Sequence, residues 1–168
     1  MPVTVLPLLD RRVQHCLYDV GVYGTLPKAH ELHENVRLLY GAVALRENLP
    51  SNYPERPNID ERVEVFRLVA DADAESLARL VSSLVGNAPL KDVDSIRNEL
   101  GSLEEMLHTL RGPRITQAQA SEFARMSEDI QRRVDRATSA GIARCLARTF
   151  EQEQQLPPEI RAAAAGGG

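Results

Sequence analysis

The sequence has no tryptophan, and aromatic residues make up only 4% of it, so a core stacked from large rings is excluded. What is left for a core is Leu, Val, Ile and Ala, which suits helix packing better than a sandwich of sheets. Cysteine is equally scarce. Cys16 and Cys145 each fall on the apolar side of an expected helix, and in a reducing compartment they read as two small core residues, not a bridge. No run of 18 apolar residues exists to cross a membrane. The start MPVTVLPLLD has neither the basic residues nor the cleavage site of a secretory leader, which reads as a cytosolic chain. Also missing are a glycine-rich phosphate loop, G-x-S-x-G, and any nucleophile with a base at motif spacing, so nothing supports catalysis.

The remaining composition, 43% hydrophobic and 26% charged over 168 residues, is that of one globular domain. The net charge of −4 argues against a protein that coats duplex DNA by bulk electrostatics, but it leaves room for a local basic patch.

Such a patch is concentrated near the C-terminus. From Thr116 to Phe150, Phe123, Ile130, Val134, Gly141 and Cys145 fall on one side of a helix, and Arg125, Arg132, Arg133, Arg136 and Arg144 occupy the adjoining arc. Thr116 with Gln119 forms a capping-box start. One face can pack while the next holds anions; the plainer reading is a solvated face with i,i+4 partners such as Asp129 and Arg133.

Upstream, Pro2 and Pro7 keep the first residues extended, and Asp10 caps a short helix ended by Gly21 and Gly24. Thr25 and Pro27 open a second helix, with Leu32, Val36, Leu39 and Val43 on one face, running antiparallel to the first. Ser51 to Pro57 reads as a loop. The β-branched stretch Arg62 to Val69 reads as one short strand that needs a neighbour, a hint of assembly. Asp71 or Asp73 then caps a third helix carrying Leu77, Leu80, Val81, Leu84 and Val85. Ile96, Leu100, Leu103, Leu107 and Leu110 form a narrow seam that packs internally or against another chain, and Gly101 is a place where that helix can break. The expected fold is all-α: an antiparallel four-helix bundle core with one short β segment and an additional helical inner segment. The domain spans 1–151 and a flexible C-terminal tail spans 152–168.

Three stretches carry a resemblance. RRVDRAT at Arg132 to Thr138, followed by ARTFE at Ala147 to Glu151, resembles the fourth long helix and its exit in coat proteins of rod-shaped plant RNA viruses, the tobacco mosaic virus type. NYPERPNIDERVEVFRLVADAD at Asn52 to Asp73, leading into AESLARLVSSLVG, is similar to that family's strand and third helix. The resemblance covers about Leu8 to Glu151 at low identity. The segment from Asn87 to Arg114 is longer than in the family, so Lys91 and Arg97, which stand where basic residues follow the family's third helix, have no residue-by-residue match there.

The resemblance implies a capsid subunit, found in virions and host cytoplasm. Copies assemble into a helical filament through contacts that do not close, and they hold single-stranded RNA without reading its sequence. It implies RNA contact by Arg132 and Arg133, with Asp135 facing the nucleotides and Val134, Ala137 and Thr138 as a surface for bases. Arg136 stands where the family has a second acid. Arg37 falls opposite a phosphate-contacting arginine, its ordinary alternative being a surface residue paired with Glu34 or Glu31. In such rods, calcium or protons bridge carboxylates of neighbouring subunits, for which Glu99, Glu104 and Glu105 are the candidates beside a plain solubilising role. His15, His30 and His33 do not complete a metal set, and no other cofactor is expected. The alternative, from another class, is a helical adaptor that binds a partner helix through the Ile96–Leu110 seam.

Overall fold

The computed structural model describes the backbone of residues 2–84, 86 and 88–160, and side chains within those from residue 11 onward. Among the described residues the chain is all-α and has no strand. Its helices are α1 (Pro2–Asp19), α2 (Thr25–Glu47), α3 (Arg56–Val81), α4 (Leu90–Thr109) and α5 (Gln117–Gln154), with 3-10 turns at Ser82–Leu84 and Gly112–Arg114.

The expected strand from Arg62 to Val69 is instead part of α3. Ile59, Val63, Arg67, Ala70, Ala74, Leu77 and Val81 recur at steps of four and three, and all are buried. That is a helical stripe with an arginine in its middle, and the charge at Arg67 hides the period from a hydrophobicity reading. Asp71 and Asp73 therefore lie inside α3 and cap nothing. Asp73 is buried and accepts from Asn35 Nδ2 at 2.5 Å, with Lys28 Nζ at 3.7 Å. Likewise α1 starts at Pro2, ahead of the extended start and Asp10 cap that were expected.

Cross-helix bonds fix the directions. Thr25 Oγ1 donates to Leu80 O at 3.1 Å, while Arg46 lies 3.8 Å from Asp60 at the other end, so α2 and α3 are antiparallel. Arg67 Nη1 donates to Leu107 O at 2.5 Å and Arg97 reaches Ser82 at 3.4 Å, which sets α4 antiparallel to α3. Between α2 and α5, His33 meets Ser127 at 2.9 Å and Arg46 donates to Ile115 O just ahead of α5. Thus α2 packs on α3 and α5, and α4 packs on the same two. Leu32, Leu39, Leu77, Ile96, Leu100, Leu103, Phe123 and Ile130 fill the space between them, each fully buried leucine contributing about 1.5–3 kcal/mol relative to exposure.

Two consequences follow for the expected arrangement. The Ile96–Leu107 seam is consumed in this core, so α4 is one of its walls, not an added inner piece, and the seam offers no face to a partner helix. Gly101 does not break α4, because it lies on the outer side where an added Cβ meets nothing within 4 Å. Meanwhile α1 packs outside this set, on α5.

There Arg12 pairs with Glu153 at 2.9 Å, and Cys16 is disulfide-bonded to Cys145 across a Cα separation of 5.6 Å. The reading of two independent thiols is corrected: once α1 docks on α5 the two cysteines face each other within bonding geometry. A bridge of this kind persists in oxidising surroundings, not in the reducing compartment expected from the sequence. Of the tail, α5 itself runs on to Gln154, and residues 161–168 lie outside the described part.

Candidate nucleic-acid interface

The basic helix starts where its capping box predicts. Gln119 N–H donates to Thr116 Oγ1 at 3.1 Å, and Thr116 N–H donates to the Gln119 side chain at 2.9 Å. With 38 residues, α5 is roughly 57 Å long at 1.5 Å per residue. Phe123, Ile130, Val134, Gly141 and Cys145 are its buried side, as the periodicity requires.

The arginines divide between two flanks. Arg132 stands on the outer ridge, 66% exposed, with Nη2 on Glu128 at 2.8 Å. It shares a groove of about 380 Å³ between α2 and α5 with Arg37, His30, His33, Glu34, Glu128 and Gln131. Asp135 belongs to this flank, bonded to His30 Nε2 at 3.1 Å. Arg133 points the other way. Its Nε sits 2.9 Å from Asp129 Oδ2 and its Nη1 donates to the Ser95 hydroxyl of α4. Arg136 lines the same α4–α5 cavity with Arg133, Lys91, Asp92 and Ser95. Arg132 and Arg133, adjacent in sequence and expected to share one task, are therefore committed to different neighbours, a direct result of the 100° turn between successive residues.

Local charge follows these pairings. The hydrogen bond from Arg132 holds the Glu128 carboxyl below its usual range, and Asp129 raises the Arg133 guanidinium. Burial lowers the His33 imidazole, whose Nδ1 meets the buried Ser127 hydroxyl. Arg125, further along the outer ridge, is paired with Glu122 at 2.5 Å, and Arg144 is exposed beyond Gly141.

One expectation about the site is overturned. Val134 and Ala137 are fully buried and Thr138 nearly so, because all three face the core, and they present nothing on which a base can lie. His15 sits on α1 beside Asp19, apart from His30 and His33 on α2, and among the described residues no group of His, Cys, Asp and Glu is placed to hold a metal. Glu104 and Glu105 border a shallow depression with Asp71, Glu75 and His108, and Glu99 one with Lys91 and Asp94. Sequence reasoning missed Ser95 and Gln131, which carry no periodic or motif signal and join the site only because α4 and α2 border α5. Comparison with protein-family models, with curated proteins and with solved structures finds no match to this chain.

Proposed function

We propose that this chain is a coat subunit that assembles into a helical filament and holds single-stranded RNA along α5, without catalysis. The antiparallel four-helix core of such a subunit is then α2 to α5, with α1 fastened outside it. The observation that carries the reading is the set of cations flanking one stretch of α5: Arg37 and Arg132 on the α2 side, Lys91, Arg133 and Arg136 on the α4 side.

Phosphate can replace the present partners at small cost. The Arg132–Glu128 pair is exposed, and exposed pairs are worth little because water and salt screen them. Arginine's planar, multi-donor head suits phosphate oxygens. With Val134, Ala137 and Thr138 turned inward, contact runs through the phosphates, which supports binding that does not depend on base sequence. Asp135, tied to His30, borders the path and does not grip it.

Assembly requires surface that is unsatisfied in one copy. Leu38, Leu45, Val65, Leu68 and Val69 are all exposed on the outer side of α2 and α3, beside a groove of about 740 Å³ that includes Tyr53, Arg62 and Phe66. Exposed apolar patches of this kind mark contact faces. The Arg62–Val69 segment thus keeps its assembly role as a helix face instead of a strand edge. Negative-stain microscopy of the purified protein with and without added RNA tests the reading: rods or stacked discs are expected, and dispersed single particles in both conditions would overturn it.

A further inference from the structure

The two flanks of α5 differ in how their charge is balanced. In the α2–α5 groove, Arg37 and Arg132 face Glu34 and Glu128. In the α4–α5 cavity of about 290 Å³, three cations, Lys91, Arg133 and Arg136, face a single lining carboxylate, Asp92. Asp129 engages Arg133 alone, and neither Lys91 nor Arg136 has an ion-pair or hydrogen-bond partner among the described residues. Like charges gathered in a partly enclosed cleft repel one another, and an anion relieves that repulsion. Glu99 also acts on Arg133 and, with Asp94, borders Lys91, so Lys91 and Arg136 are the cations of the cavity without a direct partner among the described residues.

The cavity is also partly organised. Arg133 is held from both sides, by Asp129 on its own helix and by the Ser95 hydroxyl across the cavity. Since Ser95 Oγ accepts from Arg133, its own proton remains available to a ligand. Guanidinium, ammonium and hydroxyl donors from two helices therefore converge on one small volume.

We propose that this cavity binds a phosphoryl group, with Arg133, Arg136 and Lys91 on its oxygens and Ser95 donating a further bond. The inference rests on the RNA reading for its biological context and deepens it, by assigning Lys91 and Ser95 of α4 to phosphate contact. The phosphoryl group is an internal diester of a polynucleotide or a terminal monoester, and the test separates the two.

The full RNA-free chain is titrated calorimetrically at low salt with inorganic phosphate, with a uridine decamer, and with the same decamer carrying a 5′-phosphate. Wild type is compared with Lys91→Gln/Arg136→Gln and with Arg79→Gln, an exposed arginine on α3 outside the cavity. Both cavity positions are exposed, and circular dichroism verifies that the variants fold. Loss of two charged contacts is expected to weaken binding of the plain decamer by at least about tenfold, with little change in Arg79→Gln. A loss confined to inorganic phosphate and the 5′-phosphorylated decamer also supports the site and identifies a terminal monoester. Decamer binding that is equal in wild type and the cavity variant, with no phosphate bound by either, overturns the site and leaves the RNA reading standing. Phosphate binding abolished by the variant, with no decamer bound by any form, keeps the site and overturns the RNA reading.

Discussion

Replacing Arg67 by methionine should destabilise the fold by about 3 kcal/mol, and the structure shows why. The side chain is 1% exposed, and its guanidinium is held by polar partners: Nε and Nη2 donate to Glu64 at 3.0 and 2.5 Å, and Nη1 donates to Leu107 O at 2.5 Å near the end of α4. The Glu64 carboxylate in turn accepts from the Gly112 N–H. Methionine fills the volume but leaves the Leu107 carbonyl without this donor and Glu64 without its charge partner. Breaking a buried pair costs about 3–5 kcal/mol, and the 31% exposure of Glu64 places this case at the lower end. Urea unfolding followed by circular dichroism at neutral pH measures the loss, which corresponds to a Tm drop of roughly 6–12 °C for a domain of this size. The double variant Arg67→Met/Glu64→Gln should be more stable than the sum of the single losses allows.

The pH dependence has a definite sign. Arg67's hydrogen bonds, followed by the Gly112 N–H, hold the Glu64 carboxyl below its ordinary range against the opposing effect of burial. Its contribution is therefore complete above the unfolded carboxylate's pKa and is lost as pH falls through the lowered folded value. Wild type should lose stability on acidification more steeply than Arg67→Met. An Arg67→Met protein within 1 kcal/mol of wild type at pH 7, with the same acid profile, would refute this account of the network.

Two further predictions concern the connections. A Cβ at Gly112 would lie 2.8 Å from both the Cα and N of Glu64, so Gly112→Ala should cost at least about 1–3 kcal/mol in the same unfolding assay, because backbone must move to admit it. Cys145→Ser should lower stability under non-reducing conditions by up to about 4–5 kcal/mol for so long a loop, read as a lower Tm, and should match wild type once both are reduced.

Much of α2, α4 and α5 was legible in the sequence because their apolar residues keep a helical period without interruption. Leu32, Val36, Leu39 and Val43 read as one face and are one. The beginning of α3 was not legible, since its stripe passes through Arg67 and its outer side carries Val65, Leu68 and Val69, so a helix with apolar residues on two sides looked like a strand. Nor could spacing show that α4 would displace α1 from the core. Loop lengths permit both arrangements, and the choice is made by which faces match. The arginine arc of α5 was visible, but its division between α2 and α4 depends on neighbours that only packing supplies. The cysteine pair was missed for the same reason, each partner being an unremarkable apolar position until the helices dock.

The most direct test of the proposal that α5 holds RNA is the salt dependence of binding to a labelled oligouridine, followed by fluorescence anisotropy in wild type and in Arg132→Gln/Arg133→Gln. For single strands, log K falls with log salt by about 0.7 per phosphate neutralised, so removing two contacts should flatten the slope by about 1.4 and weaken binding at every salt concentration. Identical slopes and affinities in the two proteins, or no binding by wild type at low salt, would contradict the account.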